Sequence, residues 1–373
     1  MNDNASASPD LGWRREPGKL LGLEAIRFLS ACAVLIWHYQ HFYYIGDKPG
    51  PSYIVPDQPL YALLWPLYQA GYYGVNVFWC ISGFIFFWKY RETISNHQIT
   101  PKKFFVLRFS RLYPLHIATL LLVILPQAIY LRQTGHYFVY VYNDLYHFAL
   151  QIFMASNWGL QQSYSFNGPI WSISIEVLVY IIFFVALRYI GRPVLVCLAA
   201  IGIAVVAKLM RLESPIFDCL GLFFIGGLTC IIKDHVQGMT QRSLINIAAI
   251  VLAVVIPLVA VACNAFAIRH FSYLFWATYT PLLLYAGAND FGLAGRARAM
   301  IEAAGNMTYS SYLIHFPLQV TIAAAFASAG QAMPLASPIF LLSFVGITLV
   351  LAYLIFEFFE KPAQRLIRSR CGY

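Results

Sequence analysis

Charge is what this sequence has least of. Only 11% of its 373 residues are Asp, Glu, Lys or Arg, while 60% are hydrophobic and the mean hydropathy is +0.65. Soluble proteins carry about 25% charged residues, so a water-soluble globule is excluded: there is too little charge to cover one. Intrinsic disorder and nucleic-acid binding are excluded with it, because both need far more polar or basic surface. The seven cysteines form no C-x-x-C pair, and all but Cys371 lie in or beside apolar runs. They read as small packing residues, with no disulfide and no metal-ligand spacing. Residues 1–19 contain no apolar stretch. No cleavable signal peptide is expected there, and the first span is read as its own insertion signal.

Apolar sequence is abundant, in runs of about 20 residues, the length a helix needs to cross hydrocarbon. Spans are expected at 22–44, 72–90, 110–131, 171–190, 193–209, 215–232, 244–262, 271–287, 308–327 and 336–358. The fold class is therefore all-α, a polytopic membrane helix bundle of about ten spans in a lipid bilayer. Residues 143–158 are too short to cross and read as an interfacial or re-entrant helix. The expected organisation is a tail at 1–19, a membrane domain at 20–366 and a tail at 367–373. Of the 25 Lys and Arg residues, 19 fall on one side of this arrangement and five on the other, with Arg27 inside the first span. By the positive-inside rule both termini are cytoplasmic. The longest non-spanning stretch, 132–170, is then external and carries Tyr137, Tyr140, Tyr142, Tyr146 and Tyr164. These could stack sugar faces or form an interfacial belt. No inverted repeat of the transporter kind is visible.

The informative residues are the ionisable ones within apolar runs, since each costs about 2.5–3.5 kcal/mol to insert. The first span holds Glu24, Arg27 and His38, with His41 just beyond. Arg27 and His38 are eleven residues apart, which at 100° per residue places them within about 20° of one line and roughly 16 Å apart along the helix. Glu24 stands one turn before Arg27 and is placed to pair with it. A neutral imidazole can take a proton from a hydroxyl and return it; it can equally be a structural hydrogen-bonding group. Arg108 and Arg111 enter the third span on one helical face, able to grip phosphate or simply to anchor the helix. Trp171, Ser174 and Glu176 open the fourth span, the last a buried carboxylate that could orient a base. Asn76 in the second span and His315 in the ninth, two residues before Pro317, complete the set.

Together these segments resemble the membrane acyltransferase-3 family, whose members O-acylate cell-envelope and exported glycans. The similarity lies in Gly22-Leu-Glu24-Ala-Ile-Arg27 through Trp37-His38, in Gly74 to Gly83, in Arg108-x-x-Arg111 with Pro114, in Trp171-Ser-x-Ser174-x-Glu176, in Tyr309 to His315 and in Glu360-x-Pro362. It runs from about residue 20 to residue 366 and spans the whole expected domain.

The resemblance implies an enzyme that takes an acyl group, usually acetyl, from cytoplasmic acyl-CoA and gives it to a sugar hydroxyl. His38 would be catalytic, with Arg27 as the second essential group of its span and Glu176 beside them. Arg108 and Arg111 would meet the phosphates of the donor. Trp171, Ser174, His315 and Asn76 would face the acceptor, a glycan or lipid-linked sugar such as a lipopolysaccharide or exopolysaccharide precursor. The expected setting is a bacterial inner membrane, with glycan-assembly proteins as partners, and neither metal nor nucleic acid is involved. Glu24 replaces the family's more usual aspartate, and Asn76 stands where the family commonly has an acidic residue. No appended esterase domain of the SGNH type, as some family members have, is expected after the membrane domain. A second class of function remains open on the residues alone: a transporter or channel for an anionic or sugar-like substrate, with the intramembrane ionisable groups lining its path.

Overall fold

The computed structural model describes residues 19–263, 265, 271–289 and 291–373, the side chains of 271–273 excepted. Residues 1–18 of the expected tail, with Arg14 and Arg15, lie outside the described residues, as does Arg269. Helices occupy all ten expected spans: α1 (Leu21–His38), α3 (Gly74–Ser95), α4 (Pro101–Thr134), α6 (Ile170–Ile190), α7 (Pro193–Leu209), α8 (Pro215–Gln237), α9 (Arg242–Ala262), α10 (Phe271–Gly287), α12 (Thr308–Ser328) and α13 (Pro338–Ile355). Shorter helices are α2 (Tyr61–Ala70), α5 (Leu145–Ile152), α11 (Gly295–Asn306) and α14 (Lys361–Arg370). Among the described residues the only strands, β1 (Tyr44–Ile45) and β2 (Lys48–Pro49), form one small antiparallel pair.

Eight helical stretches of the described chain are long and apolar enough to cross a membrane. Helices α7 and α10 are shorter at 17 residues each, about 25 Å at 1.5 Å per residue. Three stretches are much longer than hydropathy marks: Tyr61–Ser95, Pro101–Thr134 and Pro338–Arg370, of 35, 34 and 33 residues. Helix α4 alone measures about 50 Å, against about 30 Å of hydrocarbon. In Pro101–Thr134 and Pro338–Arg370 the extra turns carry Lys and Arg, which hydropathy expels from a span although the helix continues; residues 61–71 add uncharged turns. Helix α4 shows why it starts and stops where it does. Thr100 Oγ1 accepts from the Lys103 amide at 3.2 Å, Pro101 takes the first turn, and Gly135 ends the helix at φ +81°.

Prolines inside the spans free a carbonyl four residues earlier, and in lipid that carbonyl needs another donor. Pro257 frees the Ala253 carbonyl, which accepts from the Tyr279 hydroxyl at 2.7 Å. Pro317 frees that of Leu313, which accepts from Asn167 Nδ2 at 3.0 Å.

The helices gather into two compact units. One is drawn from the chain up to Arg27, Asn76–Glu92 and Arg192–Glu302; the other comprises Phe28–Val75, Thr93–Gly191 and Ala303–Tyr373. In the first, α3 and α8 meet at glycines. A Cβ on Gly83 would lie 1.8 Å from the Phe223 carbonyl oxygen, and one on Gly226 would lie 1.9 Å from that of Cys80. An ion pair between Arg91 and Asp234 ties the same helices. Lys233 is fully buried, with Nζ donating to Asn246 Oδ1 at 3.1 Å and Asn289 Oδ1 at 2.5 Å, over the face of Tyr285 at 4.2 Å. The second unit packs α4 and α13 on α12, around a core that includes Tyr39, Phe42, Phe138, Phe316 and Phe344.

Candidate active site

Helix α1 delivers His38 at its last residue, where the chain tightens into a 3-10 turn over Tyr39–Tyr43. His38 is buried, and its Nδ1 lies 2.9 Å from the carbonyl oxygen of Val34 one turn back. A carbonyl oxygen can only accept, so Nδ1 bears the proton and Nε2 presents the lone pair. Nε2 makes no hydrogen bond with any described residue.

Two further imidazoles surround it. The His41 ring centroid is 4.8 Å from that of His38, and His315 of α12 brings a third to 4.7 Å. Trp37 stands edge-on to His38 at 4.8 Å. Gln319, one turn after His315, donates from Nε2 to the backbone carbonyl of His38 at 2.9 Å and so ties α12 to the end of α1. His41 Nδ1 and His315 Nε2 are buried without a hydrogen-bond partner among the described residues. Buried polar atoms in native structures are nearly always paired, and exceptions concentrate where chemistry occurs or a polar guest is accommodated.

The surrounding scaffold fixes this geometry. Asn167 Nδ2 donates both to Thr119 Oγ1 of α4 and to the freed Leu313 carbonyl of α12, each at 3.0 Å, two residues along α12 from His315. Tyr140 packs against Phe316 at 4.6 Å and reaches Gly168, where a Cβ would lie 2.2 Å from the ring. Of the five tyrosines between 137 and 164, Tyr140 is thus a buried packing residue, whereas Tyr146 and Tyr164 are exposed.

The other expected site residues fall in three places. Glu176 is buried and accepts from the Tyr180 hydroxyl at 2.5 Å. Its hydrogen-bond partner is Tyr180 rather than His38, whose own hydrogen bond goes to Val34. Ser174 is engaged in structure: its Oγ accepts from the Asn157 amide at 3.1 Å, and its carbonyl accepts from Trp158 Nε1 at 2.7 Å. Trp171 is half-buried against Tyr164 at 5.9 Å. Arg27 and Asn76 belong to the first unit. There Arg27 pairs with Glu24 at 3.1 Å as the spacing predicts, and Asn76 is half-buried in the first turn of α3.

Arg108 and Arg111 are both half-buried on α4 in the second unit. They are woven into the chain's C-terminal helix. Arg111 stands 3.9 Å from Glu360, which also accepts from Ser310 Oγ at 2.7 Å and Gln364 Nε2 at 3.1 Å. Ser110, between the two arginines, accepts from Arg368 Nε at 3.1 Å. Glu360 closes a π-helical turn, Phe356–Glu360, that joins α13 to α14; such turns recur at functional sites.

Sequence reasoning noted His41 without giving it a role, and it missed Gln319 and Arg368. The first two carried a signal: His41 is three residues after His38, and Gln319 four after His315, one helical turn in each case. Arg368 carried none beyond its charge. On the expected external face, Asp144 caps α5 by accepting from the His147 amide at 2.9 Å and from its Nδ1 at 2.9 Å. Those donors, the backbone amide first, hold the Asp144 carboxyl below its usual range.

Long apolar helices with an imidazole cluster buried in the second unit are the makings of an integral membrane protein. The family model described as an acyltransferase domain matches residues 20–357. The chain belongs to that family, the membrane acyltransferase-3 family, and is a membrane acyltransferase by that membership. A stretch of 107 residues is 28% identical to "Protein 2 in picA locus" of Rhizobium radiobacter, covering 29% of this chain and 45% of that protein. The matched part thus spans less than half the length of that relative. No solved structure matches the chain.

Proposed function

We propose that this acyltransferase moves an acyl group, acetyl in the first instance, from acyl-CoA to a hydroxyl of an envelope or exported glycan, with His38 as the base. The observation that carries the reading is the state of His38: buried, its Nδ1 proton committed to the Val34 carbonyl, and Nε2 open. Nε2 removes the proton of the acceptor hydroxyl as its oxygen attacks the thioester carbonyl carbon. The C–S bond then breaks, and the departing thiolate takes the proton from His38. His315 and His41 line the acceptor side, each offering an unpartnered nitrogen to a sugar hydroxyl. Arg108 and Arg111 meet donor phosphates, which guanidinium pairs bind bidentately. Ser174 and Glu176 act one step away, Ser174 by holding the Asn157–Trp158 turn. Arg27 is the second essential group of its span, and Asn76 contacts the acceptor. The setting is a bacterial inner membrane, with the positive ends of the helices cytoplasmic, and glycan-assembly proteins present the acceptor.

The test compares wild type, His38→Ala and His38→Asn in cells lacking the native gene, at equal membrane levels. Ester-linked acyl groups on isolated envelope and exported polysaccharides are measured by mass spectrometry. Wild type is expected to add an ester that both variants lack; loss of a general base lowers the rate about 10²–10⁴-fold. Asn can still donate to the Val34 carbonyl, so retained acylation in His38→Asn would show that this position serves structure and not proton transfer.

A further inference from the structure

A second arginine pair with the spacing of the first lies on α14: Arg365-Leu-Ile-Arg368 beside Arg108-Phe-Ser-Arg111. Residues three apart on a helix share a face. Helix α14 packs along α4 within the second unit, and Arg368 reaches Ser110 in the middle of the first pair. A ladder of hydrogen bonds fixes this approach: Arg368 Nη2 donates to Gln364 at 3.2 Å, and Gln364 donates to Glu360 at 3.1 Å, the carboxylate beside Arg111. Helix α4 and the 33-residue stretch that ends in α14 are both longer than the hydrocarbon is thick, which leaves room for their basic turns to lie beyond it as one platform. Arg365 and Arg370 are exposed and make no ion pair among the described residues.

We propose that α14 completes a phosphate-binding platform, with Arg365 and Arg368 taking the terminal phosphomonoester of the donor nucleotide while Arg108 and Arg111 take its diphosphate. This rests on acyl-CoA being the donor. The argument is one of charge. A phosphomonoester carries about 1.5–2 negative charges near pH 7, and a diphosphate linkage adds one per phosphate. Arg108 and Arg111 together supply two positive charges, and Glu360 offsets part of Arg111. The first pair alone cannot neutralise the nucleotide; two adjoining pairs can, each in the forked geometry that phosphate oxygens accept.

The experiment measures binding of CoA and of 3′-dephospho-CoA to the full-length protein in nanodiscs of zwitterionic lipid, by calorimetry. The proteins are wild type, Arg365→Ala, Arg365→Ala/Arg368→Gln, Arg365→Lys/Arg368→Lys and Arg111→Gln. Wild type is expected to prefer CoA about 10-fold or more. The preference should shrink in Arg365→Ala and vanish in the double variant, which still binds dephospho-CoA like wild type, and return in part with the lysines. Arg111→Gln should weaken both ligands alike. Arg365 is exposed, so its single variant reports binding even if the double variant fails to fold. If wild type binds both ligands equally, the inference fails while the donor reading stands; if it binds neither, both fail. A repeat in discs containing anionic lipid covers the other source of phosphate. If the α14 variants alter only lipid dependence and leave the CoA preference intact, the arginines serve the headgroups and the inference is overturned.

Discussion

Asn167 is the residue whose replacement tests the construction of the site most directly. Pro317 has no amide hydrogen, so the Leu313 carbonyl lacks its helical donor, and Asn167 Nδ2 supplies one at 3.0 Å while also bonding Thr119. Replacing Asn167 with Ala strands that carbonyl in a fully buried position, since Asn167 is 0% exposed. A buried unsatisfied acceptor costs about 1–3 kcal/mol. Hydrogen bonds between membrane helices average only about 0.6 kcal/mol, because the unfolded chain in the bilayer finds other partners. Here the carbonyl has no alternative partner within its helix, so the expected cost is toward 2 kcal/mol. The cost should depend on Pro317. In a Pro317→Ala background the new amide can donate to Leu313, and Asn167→Ala should then cost about 0.5 kcal/mol, in line with an ordinary interhelical bond. The four proteins of this cycle are unfolded reversibly in mixed anionic and nonionic micelles, and the coupling energy is read from the difference of differences. A coupling of about 1 kcal/mol or more is expected. Equal costs in the two backgrounds would refute the assignment of Asn167 as the substitute donor for a broken helix, and with it the account of how His315 is held beside His38.

Three further expectations follow from the packing and the α5 cap. Gly226→Ala puts a methyl 1.9 Å from the Cys80 carbonyl oxygen and must part α3 from α8, losing about 1–3 kcal/mol or more, whereas Gly202→Ala, with nothing within 4 Å, should be neutral or stabilising; equal thermal stability of the two variants in detergent would contradict the close approach. Asn289→Leu leaves the Lys233 ammonium with one fewer acceptor and should destabilise strongly, while Lys233→Met/Asn289→Leu should recover most of the loss, because removing both partners spares the stranded charge; failure of the double variant to recover would remove Lys233 as the cause. The Asp144 cap, its carboxyl held below the usual range by the His147 amide and ring, should protect α5 fully above about pH 4 and lose that protection as the pH falls through the depressed value; hydrogen exchange of the α5 amides, flat with pH in Asp144→Ala but acid-sensitive in wild type, checks the sign.

The helices were legible because the signal for them is local. A run of apolar residues is a span wherever it occurs, and the split of Lys and Arg between loops is a count along the chain. Hydropathy left α2 and α11 unmarked and under-read the over-long helices, since a basic residue leaves the hydrocarbon without leaving the helix, as in the first turns of α4 and in α14. The Glu24–Arg27 pair was legible for the same reason, being one turn of one helix. Ser174 was legible as a site-motif position, yet its neighbours commit it to the Asn157–Trp158 turn.

Sequence by itself thus determined a membrane helix bundle, the family to which it belongs, and the residues whose burial in lipid would be too costly without a purpose. Which of those residues meet was decided by tertiary packing. His38 and His315 are 277 residues apart and come within 4.7 Å where Asn167 and Gln319 secure α12 to α4 and α1. Glu176 is as expensive to bury as His38 but turns to Tyr180, and Arg368, unremarkable in the chain, reaches the arginine pair 257 residues before it. Hydrophobicity acts on each residue where it stands, and so it can be read in order. Hydrogen bonds and ion pairs depend on a few ångströms between groups that chain order does not relate, and those distances exist only in the packed bundle.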